Sequence, residues 1–129
     1  MPSDPRALPD FEAPDLAAVV ESLPQEAVDS LPFGTIRVGI DGAVQHFSQA
    51  EQRLSGYSRK AVGLDFYSSV APCMNNADFR GRIEAAAKAG KLDIEFGHTG
   101  DFSDKERELR VRVMSASNGG YWIFLAREE

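Results

Sequence analysis

Residues 33–47 read FGTIRVGIDGAVQHF. Ile36, Val38 and Ile40 alternate with Arg37 and Gly39, the period of two that marks a strand with one buried face. Asp41-Gly42 then offers a hairpin turn into a second strand over AVQHF, since glycine tolerates the positive φ of such turns. One antiparallel pair is expected. Three further runs keep the same period: LDIEFGHT at 92–99, RELRVRVM at 107–114 and GYWIFLARE at 120–128. In them Leu92, Ile94, Phe96 and His98, then Leu109, Val111 and Val113, fall on single faces, and Asn118-Gly119 signals a turn between the last two runs.

Between the pair and the trio lies helical and loop sequence: SQAEQRLSG, SRKAVGLDFYSSVAPCM and NNADFRGRIEAAAKAGK. In the last, Phe79, Ile83, Ala86 and Ala87 share a helical face, with Asn76 as cap and Gly90 as stop. This order predicts an α+β chain with one antiparallel sheet of about five strands and the middle helices on one of its faces. A pocket is expected where the helical crossover meets the sheet. The first thirty residues carry Pro2, Pro5, Pro9, Pro14 and Pro24 around one helical patch, DLAAVVESL, opened by Asp15. Leu16, Val19, Val20 and Leu23 recur there at helical spacing and need an apolar partner, most simply the other sheet face. The expected organisation is a loosely attached N-terminal helical cap over 1–30 and a single domain over 31–129.

Composition narrows the function classes. With 129 residues, 43% of them hydrophobic, the chain makes one domain that hides about two-thirds of its unfolded surface. A channel, a repeat array and a large multi-site enzyme are excluded. Twenty acidic against fourteen basic residues leave a formal charge of −6, which argues against nucleic acid or an anionic membrane as partner. The single cysteine rules out a disulfide framework and points to a reduced compartment. The start, MPSDPRALPDFEAPD, has neither the basic flank nor the apolar run of a secretory leader, and no stretch reaches the ~18 apolar residues of a spanning helix. A cytoplasmic protein is expected.

His46 and His98 lie in separate strands with no cysteine or carboxylate at metal spacing, and no phosphate-cradling glycine loop occurs. The chemistry then rests on two residues. Cys73 stands in VAPCMNN. A lone cysteine is most often a small buried hydrophobe, but Pro72 before it and a helix start at Asn75-Asn76 after it put this thiol at an ordered bend, where a helix N-terminus favours the thiolate. Glu51 follows Ser48 by three residues, the spacing of a capping box, with Gly56 as the helix stop. A capping carboxylate is ionised and wet. The rival reading is a buried carboxyl, protonated and able to donate, and the two exclude each other.

From about Leu31 onward the sequence resembles the photoactive yellow protein family, small bacterial blue-light receptors with the PAS fold. The anchors are LPFG at 31–34, Ala50-Glu51 in the short helix after a strand, Val70-Ala71-Pro72-Cys73, the helix start at Phe79, and Tyr121-Trp122-Ile123-Phe124. The resemblance implies a five-stranded antiparallel sheet with helices on one face and an N-terminal helical cap on the other. It also implies p-coumaric acid (4-hydroxycinnamate) carried as a thioester on Cys73, with Glu51 donating a hydrogen bond to the buried phenolate and passing it a proton after light-driven isomerisation. Ser55 matches a family threonine and Tyr57 the family's arginine lid; Phe66, Val70 and Phe102 are wall residues. The position of the family's second phenolate donor, a tyrosine, holds Phe47, which has no hydroxyl. Gly100, Phe102 and Asp104 replace an aromatic and methionine wall.

The expected function is therefore a sensory domain, not an enzyme, signalling to an unknown downstream protein as a monomer or weak homodimer. The main alternative is a pigment-free PAS module working through protein contacts. An enzyme with Cys73 as nucleophile is the other rival, and no histidine stands near that segment in sequence to serve as its base.

Overall fold

The computed structural model describes residues 9–55, 60–90, 92–99, 107–117 and 119–127, with Cys73 described in its main chain alone. Two short helices, α1 (Leu16–Ser22) and α2 (Gln25–Asp29), precede strands β1 (Gly34–Val38) and β2 (Val44–Phe47). Helix α3 (Gln49–Ser55) follows, then a π-helical turn at Phe66–Val70, a 3-10 turn at Pro72–Met74, and a second π-helical turn at Ala77–Gly81 that runs into α4 (Arg82–Lys88). Strands β3 (Asp93–Thr99), β4 (Glu108–Ser115) and β5 (Tyr121–Arg127) complete the order.

The five strands form one antiparallel sheet in the order β2-β1-β5-β4-β3. The last strand thus lies in the middle, with Gly34 opposite Leu125 on one side and Leu109 opposite Arg127 on the other. Alternation then sorts the side chains. Ile36, Val111, Val113, Ile123 and Leu125 face the helices, in a core with Phe66, Val70, Met74, Phe79 and Ile83. Phe33, Trp122 and Phe124 face the N-terminal segment, in a second core with Leu16, Val20, Val28 and Leu31.

Two local details differ from the sequence expectation. Ile40 is not in the first strand: the hairpin closes early through the Gly39 N–H to Ala43 O bond (2.8 Å), Gly42 takes φ +87°, and Ile40 stands at the tip, 88% exposed. Ala87 is exposed although Ile83 and Ala86 pack inward. Ala87 keeps to the Ile83 side of α4 but borders an open cleft with Ile83 and Tyr121, where no side chain covers it fully. The expected cap and stop are present, with Asn76 Oδ1 accepting from Phe79 N–H at 3.0 Å and Gly90 at φ +94°.

The N-terminal segment is held more firmly than its composition suggests. Arg112, 7% exposed, donates from one guanidinium nitrogen to the carbonyls of Phe11 (2.6 Å) and Ala13 (2.7 Å). Glu21 accepts from Trp122 Nε1 at 2.7 Å and from Ser117 N–H at 3.0 Å, and Arg110 pairs with Glu12 at 2.5 Å. These bonds tie α1 and the residues before it to β4, β5 and the turn between them, a direction that local sequence does not reveal. Asp15 precedes α1 without a side-chain cap bond.

Candidate functional site

Ser48 organises the start of α3. Its hydroxyl accepts from Glu51 N–H (3.0 Å) and Thr35 N–H (3.1 Å), tying the helix to β1. The return half of the capping box is not made, because Ser48 N–H already donates to Thr35 O at 2.9 Å. The Glu51 side chain turns inward instead and is fully buried. Gly34 makes this possible: a Cβ there would overlap Glu51 Oε1.

Inside, Glu51 meets Arg127 at the end of the central strand. Arg127 Nη1 donates to Oε1 at 2.9 Å and Nη2 to Oε2 at 2.8 Å, with side-chain exposures of 5% and 0%. Two parallel charge-assisted bonds of this kind belong to the carboxylate form. The sequence offered two states for Glu51, ionised in water or buried and neutral; the geometry is a third, buried and ionised, with the guanidinium replacing the solvent. Spacing does not single out Arg127. The signal was the strand period, since Tyr121, Ile123, Leu125 and Arg127 share one face and a cation on an apolar face needs an anion.

Beside this pair lies the helical-side core. Phe47, Phe66, Val70, Ala71 and Met74 belong to one buried cluster, so the residues flanking the Cys73 turn and the residue four before Glu51 border the same apolar volume. The turn itself is well defined. Ala71 N–H closes the first π-helical turn on Phe66 O (2.7 Å), Met74 N–H bonds Ala71 O (3.0 Å) and Asn75 N–H bonds Pro72 O (3.1 Å). Ser55 is buried and donates to Glu51 O at 2.6 Å, and Arg107 donates to Leu54 O at 3.0 Å, which fastens the end of α3. Tyr67 and Tyr121 pair through their hydroxyls at 2.7 Å, and burial pushes both above the usual phenol range, so this tie carries no charge. Tyr57, Phe102, Gly100 and Asp104 lie outside the described residues. Among the described residues no group of three or more His, Cys, Asp or Glu is placed to hold a metal, and no helix is long and apolar enough to cross a membrane.

No family model matches the chain. It is 29% identical over 119 residues to the photoactive yellow protein of Halochromatium salexigens, covering 91% of this chain and 95% of that one, and 24% identical over the same shares to that of Rhodobacter capsulatus. Among solved structures it matches the photoactive yellow protein domain of the sensor histidine kinase Ppr from Rhodospirillum centenum. The TM-score is 0.77 and the identity 30%, over 86% of this chain and 99% of that one. The chain belongs to the photoactive yellow protein family.

A PAS domain from Colwellia psychrerythraea, 14% identical with a TM-score of 0.60 over 80% of this chain and 92% of that one, shares the fold. The chain is thus a PAS-fold member of a photosensory family. The residues fit the family's aromatic acyl group unevenly. Phe47, Phe66, Val70 and Met74 supply the apolar character that a planar ring needs. The polar end differs, because Phe47 brings no hydroxyl and Glu51 presents a carboxylate paired with Arg127 where the family pattern calls for a neutral acid.

Proposed function

We propose that this chain is a light-sensing PAS domain that carries a 4-hydroxycinnamoyl (p-coumaroyl) group as a thioester on Cys73. One observation supports the reading above others: in a member of this family, the segments flanking Cys73 and the segment running from Phe47 into Glu51 border a single buried cluster. Attachment is acyl transfer. The Cys73 thiolate bonds to the acyl carbon of an activated 4-hydroxycinnamoyl donor, and the donor's leaving group departs with the electron pair of the broken bond. Once bound, the group supplies light absorption and a double bond that can isomerise.

In this reading Phe47, Phe66 and Val70 form the wall, Glu51 is the polar contact, Ser55 holds the main chain of Glu51 in place, and Tyr57 and Phe102 belong to the rim. The 1–30 segment serves as a cap on the 31–129 domain. The domain turns over no substrate; it hands a conformational change to a cytoplasmic signalling partner, of which the kinase that contains the solved relative illustrates the class.

The test is reconstitution of the purified chain with activated p-coumaric acid. A single coumaroyl mass addition and a new absorption band are expected, and Cys73→Ala abolishes both. The Glu51–Arg127 pair and Phe47 favour a second reading, a pigment-free PAS module acting through protein contacts. Absence of the adduct in the wild-type chain would establish that reading instead.

A further inference from the structure

The register sets three side chains in one row on the cap side of the sheet. Arg37 on β1 stands opposite His46 on β2 and opposite Trp122 on β5, while its neighbours Ile36 and Val38 point the other way into the helical-side core. Helices α1 and α2 leave a cleft of about 280 Å³ above this row, with Leu23, Val28 and Trp122 as its apolar wall and Glu21, Arg37 and His46 as its polar wall. That volume suits a small molecule, since ligand pockets begin at roughly 300 Å³.

We propose that this cleft binds a small monocarboxylate with an apolar body, the carboxylate on the Arg37 guanidinium and the body against Leu23, Val28 and Trp122. The cleft borders the second core, whereas the segments flanking Cys73 belong to the helical-side core, so the site is independent of any pigment on Cys73.

Arg37 is a cation without a counter-ion. It is part-buried, its Nε is shut off from solvent with no hydrogen-bond partner, and among the described residues its guanidinium forms no ion pair. What it touches is the Trp122 ring, with Cζ 5.1 Å from the centroid. A charge partly withdrawn from water loses hydration, and an anion brought to its remaining N–H groups compensates that loss. The nearby carboxylates do not supply the anion. Glu21 Oε2 accepts from Trp122 Nε1 (2.7 Å) and Ser117 N–H (3.0 Å), and Asp29 Oδ1 accepts from Gln49 N–H (2.9 Å) and lies 3.7 Å from His46 Nε2.

Those same carboxylates discriminate among anions. They repel a dianion about twice as strongly as a monoanion, which disfavours phosphate. A carboxylate carries one charge on two oxygens whose spacing matches the guanidinium fork. Leu23, part-buried at the cleft wall, and Val28 below it favour a guest with a short hydrocarbon body over a bare ion.

Tryptophan occurs once in the chain, so its indole N–H signal reports on the cleft directly. Proton–nitrogen magnetic resonance spectra of the full chain are recorded during titration with hexanoate. Hexanol and hexylamine serve as the same body without an anion, and inorganic phosphate as an anion without a body. Hexanoate is expected to give saturable shifts at the Trp122 indole and at the amides of Leu23 and Val28. The other three probes are expected to bind roughly tenfold more weakly, the factor that one charge-assisted bond supplies. Arg37→Met keeps an apolar stem over the Trp122 ring and is expected to weaken hexanoate by the same factor while leaving hexanol unchanged. Hexanol, hexylamine or phosphate binding as tightly as hexanoate, hexanoate shifts confined to other residues, an absence of saturation, or a folded Arg37→Met of undiminished affinity overturns the proposal. If Arg37→Met does not fold, the four probes on the wild-type chain decide it. None of these outcomes touches the coumaroyl adduct, which the mass measurement decides by itself.

Discussion

Gly34 and Glu51 are packed so closely that the space a Cβ would need on β1 is filled by the carboxylate oxygen of the residue on α3. The glycine is therefore a spatial requirement of the buried pair rather than a turn device. Its neighbours Phe33 and Thr35 are both buried, so the strand has little room to shift away.

Gly34→Ala is expected to destabilise the chain by about 1–3 kcal/mol through overpacking. Urea unfolding of Gly34→Ala, Glu51→Ala and the double variant measures it. Because the clash is with the Glu51 side chain, the alanine should cost much less in the Glu51→Ala background; equal costs in both would show that the clash lies elsewhere.

Glu51→Ala takes the Glu51 carboxylate away from Arg127 and is expected to cost about 3–5 kcal/mol, the usual penalty for breaking a buried pair. Replacing both residues, as Glu51→Met with Arg127→Met, should recover most of that loss because neither desolvated charge remains. Equilibrium unfolding of the four species gives the coupling, and a coupling near zero would mean the pair does not act as a unit.

Arg112→Met should loosen the N-terminal segment selectively. The change removes a guanidinium that donates to Phe11 O and Ala13 O, and hydrogen bonds to charged groups contribute about 1.5–3 kcal/mol each. Amide exchange across 11–22 is expected to speed up while β1 and β5 stay protected. Uniform acceleration would instead indicate global destabilisation.

His46 introduces a dependence on pH. Burial pushes it below its ordinary value of 6.5, and Asp29, whose carboxylate is 3.7 Å from Nε2, opposes this only in part. Its other close neighbours are the Trp122 ring and, lining the same cleft, Glu21 and Arg37. With the folded value depressed, the unfolded chain takes up the proton first. The His46 contribution is thus complete above 6.5 and is lost as pH falls from there towards the folded value. Unfolding midpoints between pH 5 and 7.5 should fall towards acid, and His46→Gln should flatten that step.

Most of the fold was legible along the chain. Period-two alternation in the run that begins at 33 and in the three later runs located four strands, because a strand with a buried face must alternate whatever its partners, and the Asp41-Gly42 turn signal located β2. Asn76 and Gly90 marked a helix through local backbone bonds, and Ser48 marked the start of α3 for the same reason. Ile40 misled, since its apolar character fits the alternation while the glycines on either side closed the turn first.

The site divides along the same line. Cys73 and Glu51 stand out from neighbours in sequence, whose spacing is a local property, and Phe47 stands out only through the family resemblance. The charge of Glu51 is not local: it depends on Arg127, 76 residues away, which reaches it only because the last strand inserts between β1 and β4. Arg112 and its carbonyl partner at Phe11 are likewise 101 residues apart. Periodicity carries information about which face a side chain takes, whereas the identity of its ionic partner follows from strand order and register, and those are settled only when the sheet assembles.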